Sequence, residues 1–292
     1  MNQSPVICVG SALWDIIARA AREMKQGFDV PGRIERQLGG VALNIAVALA
    51  RNGVPVELFS SIGRDPEGNV LVDAIAAAGV GTHYLDRPDR HTDQYLAIEL
   101  PDGEVFGAVA DCHGLEARAE AVITPLLSGA VTSGTIVIDG NLPQATLSHL
   151  CLSEALCDAH LFLVPASPGK AGRLKNLEGR EQVTLTVNRV EAEIIFGEKM
   201  PSSAVAAARL VELGFGRAIV TDSARAASVA WDSNVISATP PDVPVKTLTG
   251  AGDSFLAGFI AAERQSTAKD RPEECLEAAL LTASMHISGG KT

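Results

Sequence analysis

Short runs of aliphatic and β-branched residues alternate with longer stretches of helical periodicity along most of this chain, and that alternation limits the folds open to it. Residues 6–10 and 56–62 read as strands, with helical patterns at 43–52 and 68–78. The rhythm returns with strands at 135–139 and 161–164 around a helix at 143–157. Strands at 183–187 and 218–221 follow, then helices at 250–264 and 272–287. Strand–helix–strand units need crossovers, so their strands lie parallel and their helices cover both faces of the sheet. The expected class is α/β, with a mostly parallel central sheet between helical layers. With 292 residues, 47% of them hydrophobic, the chain can bury the cores such a sheet needs, and residues 1–292 read as one domain.

Two stretches break the rhythm. One lies around residues 32–40; in the other, Tyr95-Leu96-Ala97-Ile98-Glu99-Leu100 meets Val105-Phe106-Gly107-Ala108-Val109 across Pro101-Asp102-Gly103-Glu104. An Asp-Gly pair between two β-type runs signals a hairpin. Antiparallel ribbons contributed by about 17–40 and 82–111 can pack as a small β-sheet lid over the carboxyl edge of the main sheet, where open α/β sheets bind ligands. An exposed edge of that lid could pair with a second subunit in a homodimer.

A formal net charge of −11 speaks against a nucleic-acid partner, which needs clustered Lys and Arg to displace counterions. Five cysteines without a Cys-x-x-Cys pair suggest reduced thiols, and six histidines show no metal-ligand spacing. The first residues, Met1-Asn2-Gln3-Ser4-Pro5, lack the basic and apolar regions of a signal peptide, and no apolar run has membrane-spanning length. The cytoplasm is the expected location, without a membrane partner.

Chemistry concentrates in a few segments. Thr249-Gly250-Ala251-Gly252-Asp253-Ser254-Phe255 leads a small-residue turn into an apolar helix. Such a start exposes unpaired N–H groups and positive dipole, which can hold a phosphate. Asp253 in its first turn can accept a proton from an attacking hydroxyl, or can simply cap the helix. Leu38-Gly39-Gly40-Val41-Ala42-Leu43-Asn44 pairs two glycines with a polar residue on an apolar helix: either a close approach to a ligand, or a turn that Asn44 ties down. Asp15 follows the first strand, as a hydroxyl-gripping carboxylate or a loop residue. Asn188 and Glu191 form either a capping box or a site for phosphates and magnesium-bound waters. Ser288-Gly289-Gly290-Lys291-Thr292 imitates the end of a P-loop, but Met285 stands at its first glycine position and no helix follows.

Taken in order along the chain, Gly10 to Asp15, Gly39-Gly40 to Asn44, Asn188 to Glu191, a strand ending at Thr221 and Gly250-Ala251-Gly252-Asp253 resemble the signatures of the ribokinase-like (PfkB) carbohydrate kinases. The resemblance covers nearly the whole chain and implies a ribokinase-like, Rossmann-type three-layer fold. It implies ATP and Mg2+ as cofactors, with Gly250, Ala251 and Gly252 as the anion hole for the γ-phosphoryl group and Asp253 as the base. It implies that Asp15, Gly39, Gly40, Asn44 and Asn141 bind the acceptor. Asn188, Glu191, Thr221 and Thr249 would face ATP, with Glu191 reaching the metal through water. Within the family, the wording is nearest that of pseudouridine kinases, which phosphorylate the ribose 5′-hydroxyl. Asp111 then contacts the base, or else merely ends a hairpin.

Three positions depart from the family pattern. Leu13 stands where many relatives have Asn, removing one polar grip on a sugar. Thr221-Asp222-Ser223-Ala224-Arg225-Ala226 lacks the two usual glycines, and Thr247 replaces an acid that helps bind a monovalent cation, so potassium activation is not implied. The leading expectation is ATP-dependent phosphorylation of a nucleoside or sugar, pseudouridine preferred. The alternatives are a ribokinase or fructokinase, and a nucleoside- or sugar-binding protein with lost or weak catalysis.

Overall fold

Alternate residues of the first strand face opposite cores in the computed structural model, which describes residues 4–131, 134–166, 168–174, 177, 182–265 and 271–290. Ile7 and Val9 join one apolar cluster, Val6 and Cys8 the other. A strand apolar on both faces has to be covered on both, as in parallel sheets.

The elements in chain order are β1 (Val6–Val9), β2 (Leu13–Ala20), β3 (Gly32–Gly39), α1 (Val41–Arg51), β4 (Val56–Phe59), α2 (Pro66–Ala77), β5 (Gln94–Glu99) and β6 (Val105–Asp111). After them come α3 (Gly114–Leu127), β7 (Thr135–Asp139), α4 (Gln144–Leu152), β8 (His160–Val164), β9 (Val183–Asn188), α5 (Arg189–Phe196) and α6 (Ser203–Glu212). The chain continues through β10 (Arg217–Thr221), β11 (Ala227–Trp231), β12 (Asn234–Ala238), α7 (Ala251–Arg264) and α8 (Pro272–Ile287).

Eight strands form the large sheet in the order β12-β11-β10-β9-β8-β7-β1-β4. Its pairs from β10 to β4 are parallel; β11 and β12 join antiparallel at one edge. Residues of α3 to α6 pack in one core and residues of α1, α2, α7 and α8 in the other. The expected mostly parallel sheet between helical layers is thus present. Parallel strands share a direction, so Gly10, Asp139, Asn188 and Thr221 all arrive at one carboxyl edge.

A separate sheet runs β3-β2-β5-β6. The hairpin expected around Asp102-Gly103 is there, with Gly103 at φ 89. Two features differ from the sequence reading. The first lid strand begins at Leu13, so Asp15 lies within β2 rather than in a loop, and β2 pairs with β5 in parallel. Leu13, Trp14 and Ala20 are buried, so this strand follows core packing more than its mixed polarity suggests. The Trp14 indole donates to Glu67 O at 3.1 Å and lies under the Arg36 guanidinium, tying the small sheet to α2. The strands β11 and β12 and the helices α3 and α6 are additions to the elements read from sequence. Among the described residues, no helix is long and apolar enough to cross a membrane, and no disulfide forms. Lys291 and Thr292 of the P-loop-like ending lie outside the described residues.

Candidate active site

The start of α7 is a turn that only a residue tolerant of positive φ can make. Gly250, at φ 79, stands at its N-cap and supplies no side-chain cap. The first helical bond runs from Ser254 N–H to Gly250 O at 2.9 Å, so the amides of Gly252 and Asp253 precede it. These are the orphan donors and the positive pole of the helix. Asp253 does not cap its own helix; instead its Oδ2 accepts a 3.0 Å hydrogen bond from Asn44 Nδ2. Burial pushes the Asp253 carboxyl up to about 7, and the nearby Asp139, Asp15 and Glu191 add to the rise while Asn44 opposes it.

One side of this helix start opens into a cleft of about 420 Å³. Asp15, Asn44, Asp253, Asn141 and Lys170 form its polar part, and Leu13, Tyr95, Ala110, Cys112 and Leu115 its apolar wall. Burial raises Asp15 to about 6. Asn141 donates from Nδ2 to Ser11 Oγ at 3.0 Å and accepts at Oδ1 from Lys170 Nζ. Its backbone N–H reaches Asp139 Oδ1 at 2.7 Å, and Ser11 donates to the same carboxylate from N–H and hydroxyl. Gly40 lines the cleft at φ 98. Gly39 does not line it, but a Cβ there would overlap the Asp15 carboxyl, so its contribution is the space that carboxyl fills.

The other side opens into an apolar cavity of about 440 Å³, walled by Leu248, Phe255, Leu280 and Ile287. Thr221, Ala251 and Gly252 reach its rim. The turn after Thr221, lacking its glycines, is made with Ser223 at φ 54. Asp222 beside it is held by Arg225 and Arg189, whose hydrogen bonds keep its carboxyl below the usual range.

Asn188 and Glu191 form the capping box of α5: Asn188 Oδ1 accepts from Glu191 N–H, and Glu191 Oε2 accepts from Asn188 N–H at 2.8 Å. Glu191 is nonetheless buried, and that burial lifts it to about 7. Asn188 pairs in register with Thr221, but neither it nor Glu191 lines the apolar cavity. Thr249 lines the polar cleft rather than that cavity. Asp111 departs further: it is exposed and faces His91 at 3.1 Å, while its neighbours Ala110 and Cys112 line the cleft. Side chains alternate along a strand, so both neighbours facing in turns Asp111 out. The structure also brings in Ser11, Asp139, Lys170 and Tyr95. Ser11 and Asp139 stand inside segments with sequence signals, whereas Lys170, on a 3-10 turn at Pro168–Leu174, has none.

The chain is similar over 265 residues to a ribokinase of Bacillus subtilis, at 30% identity, covering 88% of this chain and 85% of the relative. It is 26% identical over 267 residues to a pseudouridine kinase of Escherichia coli, covering 88% and 82%. Among solved structures, a carbohydrate kinase from Agrobacterium tumefaciens superposes with a TM-score of 0.82 at 27% identity, covering 97% of this chain and 90% of that one. The model of the pfkB family carbohydrate kinases matches residues 3–292. By sequence, fold and the ordered helix start at Gly250, the chain belongs to the pfkB family of carbohydrate kinases and is a phosphotransferase with an alcohol as acceptor.

Proposed function

We propose that this kinase transfers the γ-phosphoryl group of ATP to the primary hydroxyl of a nucleoside, with pseudouridine as the preferred acceptor. The observation that carries the reading is the position of one helix start between two unlike cavities. Ala251 and Gly252 border an apolar one suited to a purine, and Gly250 and Asp253 border an acidic one suited to a polyol. A phosphoryl group crossing from one to the other would pass the amides of Gly252 and Asp253, which stabilise charge that develops on its oxygens.

In this reading, Asp15 and Asn44 bind hydroxyls of the acceptor, and Asp253, oriented by Asn44, accepts the proton of the attacking hydroxyl. A carboxyl near 7 suits a base operating at neutral pH. Gly39 acts by giving Asp15 room. The small sheet closes the cleft on the side of Tyr95 and Cys112, excluding water that would compete as acceptor. The apolar wall favours a nucleoside over a bare pentose, because a base ring would cover Tyr95, Ala110 and Cys112, which are partly open to solvent and which a free sugar leaves wet.

Thr221 and the apolar cavity would hold the nucleotide. Magnesium, arriving with it, would neutralise the phosphate oxygens. The residue that fits that arrangement is Glu191. Glu191, buried and ion-paired to no Lys, Arg or His among the described residues, can accept from magnesium-bound waters, with Asn188 holding it in place. With Thr247 in place of an acid, potassium is not expected to activate.

A ribokinase-type activity is the second reading, since the polar end of the cleft serves any pentose. A non-catalytic binder, suggested by Leu13 and the missing glycines, has the ordered Asn44–Asp253 pair against it. Transfer of labelled γ-phosphate from ATP to pseudouridine, uridine, ribose and fructose tests all of these. The reading requires pseudouridine 5′-phosphate as the product with the highest kcat/KM. A higher kcat/KM for ribose or fructose would replace it with the sugar-kinase reading.

A further inference from the structure

The segment leading to Gly250 has little to hold it. Residues 240–250 carry neither helix nor strand, and Val245 and Leu248 stand 60% and 70% exposed. Burial therefore does not fix the approach to a turn whose amides must point in one direction.

The end of α8 supplies what packing does not. Lys246 N–H and Thr247 N–H both donate to Ile287 O, at 2.7 and 3.2 Å. Farther along the segment, the His286 imidazole reaches Thr249 O from Nε2 at 2.8 Å. A carbonyl only accepts, so Nε2 carries the proton. The ring also stands against Gly250, where a Cβ would lie 3.2 Å from Nε2. His286 lines neither of those two cavities but a third cleft of about 340 Å³, which shares Asp15, Asn44, Thr249, Gly250 and Asp253 with the polar one. Its one hydrogen bond printed to the site is to the turn itself, at Thr249 O.

We propose that His286 is a positioning residue for the phosphate-facing turn, a role that rests on the assignment of Gly250 to Asp253 to the transferred phosphoryl group. Thr249 C=O and Gly250 N–H belong to one planar peptide. Pinning the carbonyl from behind fixes the plane of that peptide, and with it the direction in which Gly250, Ala251 and Gly252 start the helix. A turn free to rotate about this peptide would present its amides in the right geometry only part of the time, which costs rate rather than acceptor affinity.

The test compares His286→Ala with His286→Gln, whose amide can place an N–H near the position of Nε2. Three measurements are made: steady-state kinetics, calorimetric Kd values for MgATP and MgADP, and Tm. His286→Ala should lower kcat by about tenfold to a hundredfold with acceptor KM within about twofold. It should also lose the preference for MgATP over MgADP, because only ATP carries the γ-phosphoryl group. His286→Gln should recover most of both. The inference is overturned if His286→Ala keeps wild-type kcat and preference, if His286→Gln is as impaired as His286→Ala at matched Tm, or if the wild type has no such preference. If the wild type phosphorylates no nucleoside or sugar yet the preference vanishes in His286→Ala and returns in His286→Gln, the functional reading fails while this inference stands.

Discussion

Asn44 and Asp253, 209 residues apart in sequence, meet through a 3.0 Å hydrogen bond from side-chain amide to carboxylate. The donor sits on α1, just past the Gly39-Gly40 turn, and the acceptor on the first turn of α7. The bond favours the ionised carboxylate against burial and three neighbouring acids that favour the protonated one. A group balanced in this way changes protonation near neutrality, where a general base is most useful.

Replacing Asp253 with Asn removes the proposed proton acceptor while keeping the shape. Turnover should fall by about 10²–10⁴-fold with MgATP affinity nearly unchanged, measured by steady-state kinetics and calorimetry. In the wild type, kcat/KM should rise with pH through an inflection near 7. A variant that keeps most of its kcat would remove Asp253 from the mechanism.

Asn44→Ala takes away a side-chain hydrogen bond that stabilises the charged form of Asp253. The inflection in kcat/KM should move to higher pH, and kcat at pH 7 should fall. An inflection that stays in place would mean that Asn44 serves the acceptor alone.

The raised carboxyl also links stability to pH. In the unfolded chain Asp253 titrates near its ordinary value of 3.8, and in the folded state at about 7, so the folded state binds this proton more tightly. Its contribution is fully present below about 3.8 and is lost as pH rises toward 7. Asp253→Asn carries no charge and escapes that loss. Its Tm relative to wild type should climb between pH 4 and 7 and then level off, the full rise from 3.8 to about 7 corresponding to about 4 kcal/mol. A Tm difference independent of pH would contradict the assigned shift.

At Gly39 the missing side chain is the space Asp15 occupies. Gly39→Ala should push the Asp15 carboxyl aside and raise acceptor KM by about tenfold, the equivalent of about 1.4 kcal/mol, with KM for ATP unchanged. Equal effects on both would point to a general disturbance of the fold.

Ser223 holds a left-handed conformation, φ 54, on the rim of the apolar cavity. Glycine there removes a steric cost of about 1–2 kcal/mol and adds back about 0.5–1 kcal/mol of unfolded-state entropy. Ser223→Gly should therefore stabilise the protein slightly and lower KM for ATP by letting the backbone approach more closely. Urea unfolding and ATP titration read both effects, and a destabilised variant would count against the strain.

Much of this was legible in the linear pattern. Thr135–Asp139 and Pro272–Ile287 fall where their apolar patterns end, because a buried strand is apolar along its length and a helix packed on a sheet repeats apolar residues every three to four positions. The hairpin around Asp102-Gly103 follows from local turn chemistry. The start of β2 was not legible, since it owes its conformation to β3 and β5, distant in sequence; the hairpin of β11 and β12 was not, since its two-residue turn has Asp232 at φ 50 and no glycine.

Sequence by itself determined the alternation of strand and helix, the glycine turns at Gly39-Gly40 and Gly250, and the carboxylates available for chemistry, because these depend on periodicity and on residues a few positions apart. Only the tertiary structure decided whether Asp253 caps its helix or accepts a bond from Asn44. It also turned Asp111 outward while Cys112 faces in, brought Lys170 to Asn141, and set His286 behind Thr249. Each of those outcomes rests on side chains meeting across the sheet edge, and such distances are fixed by packing rather than by spacing along the chain.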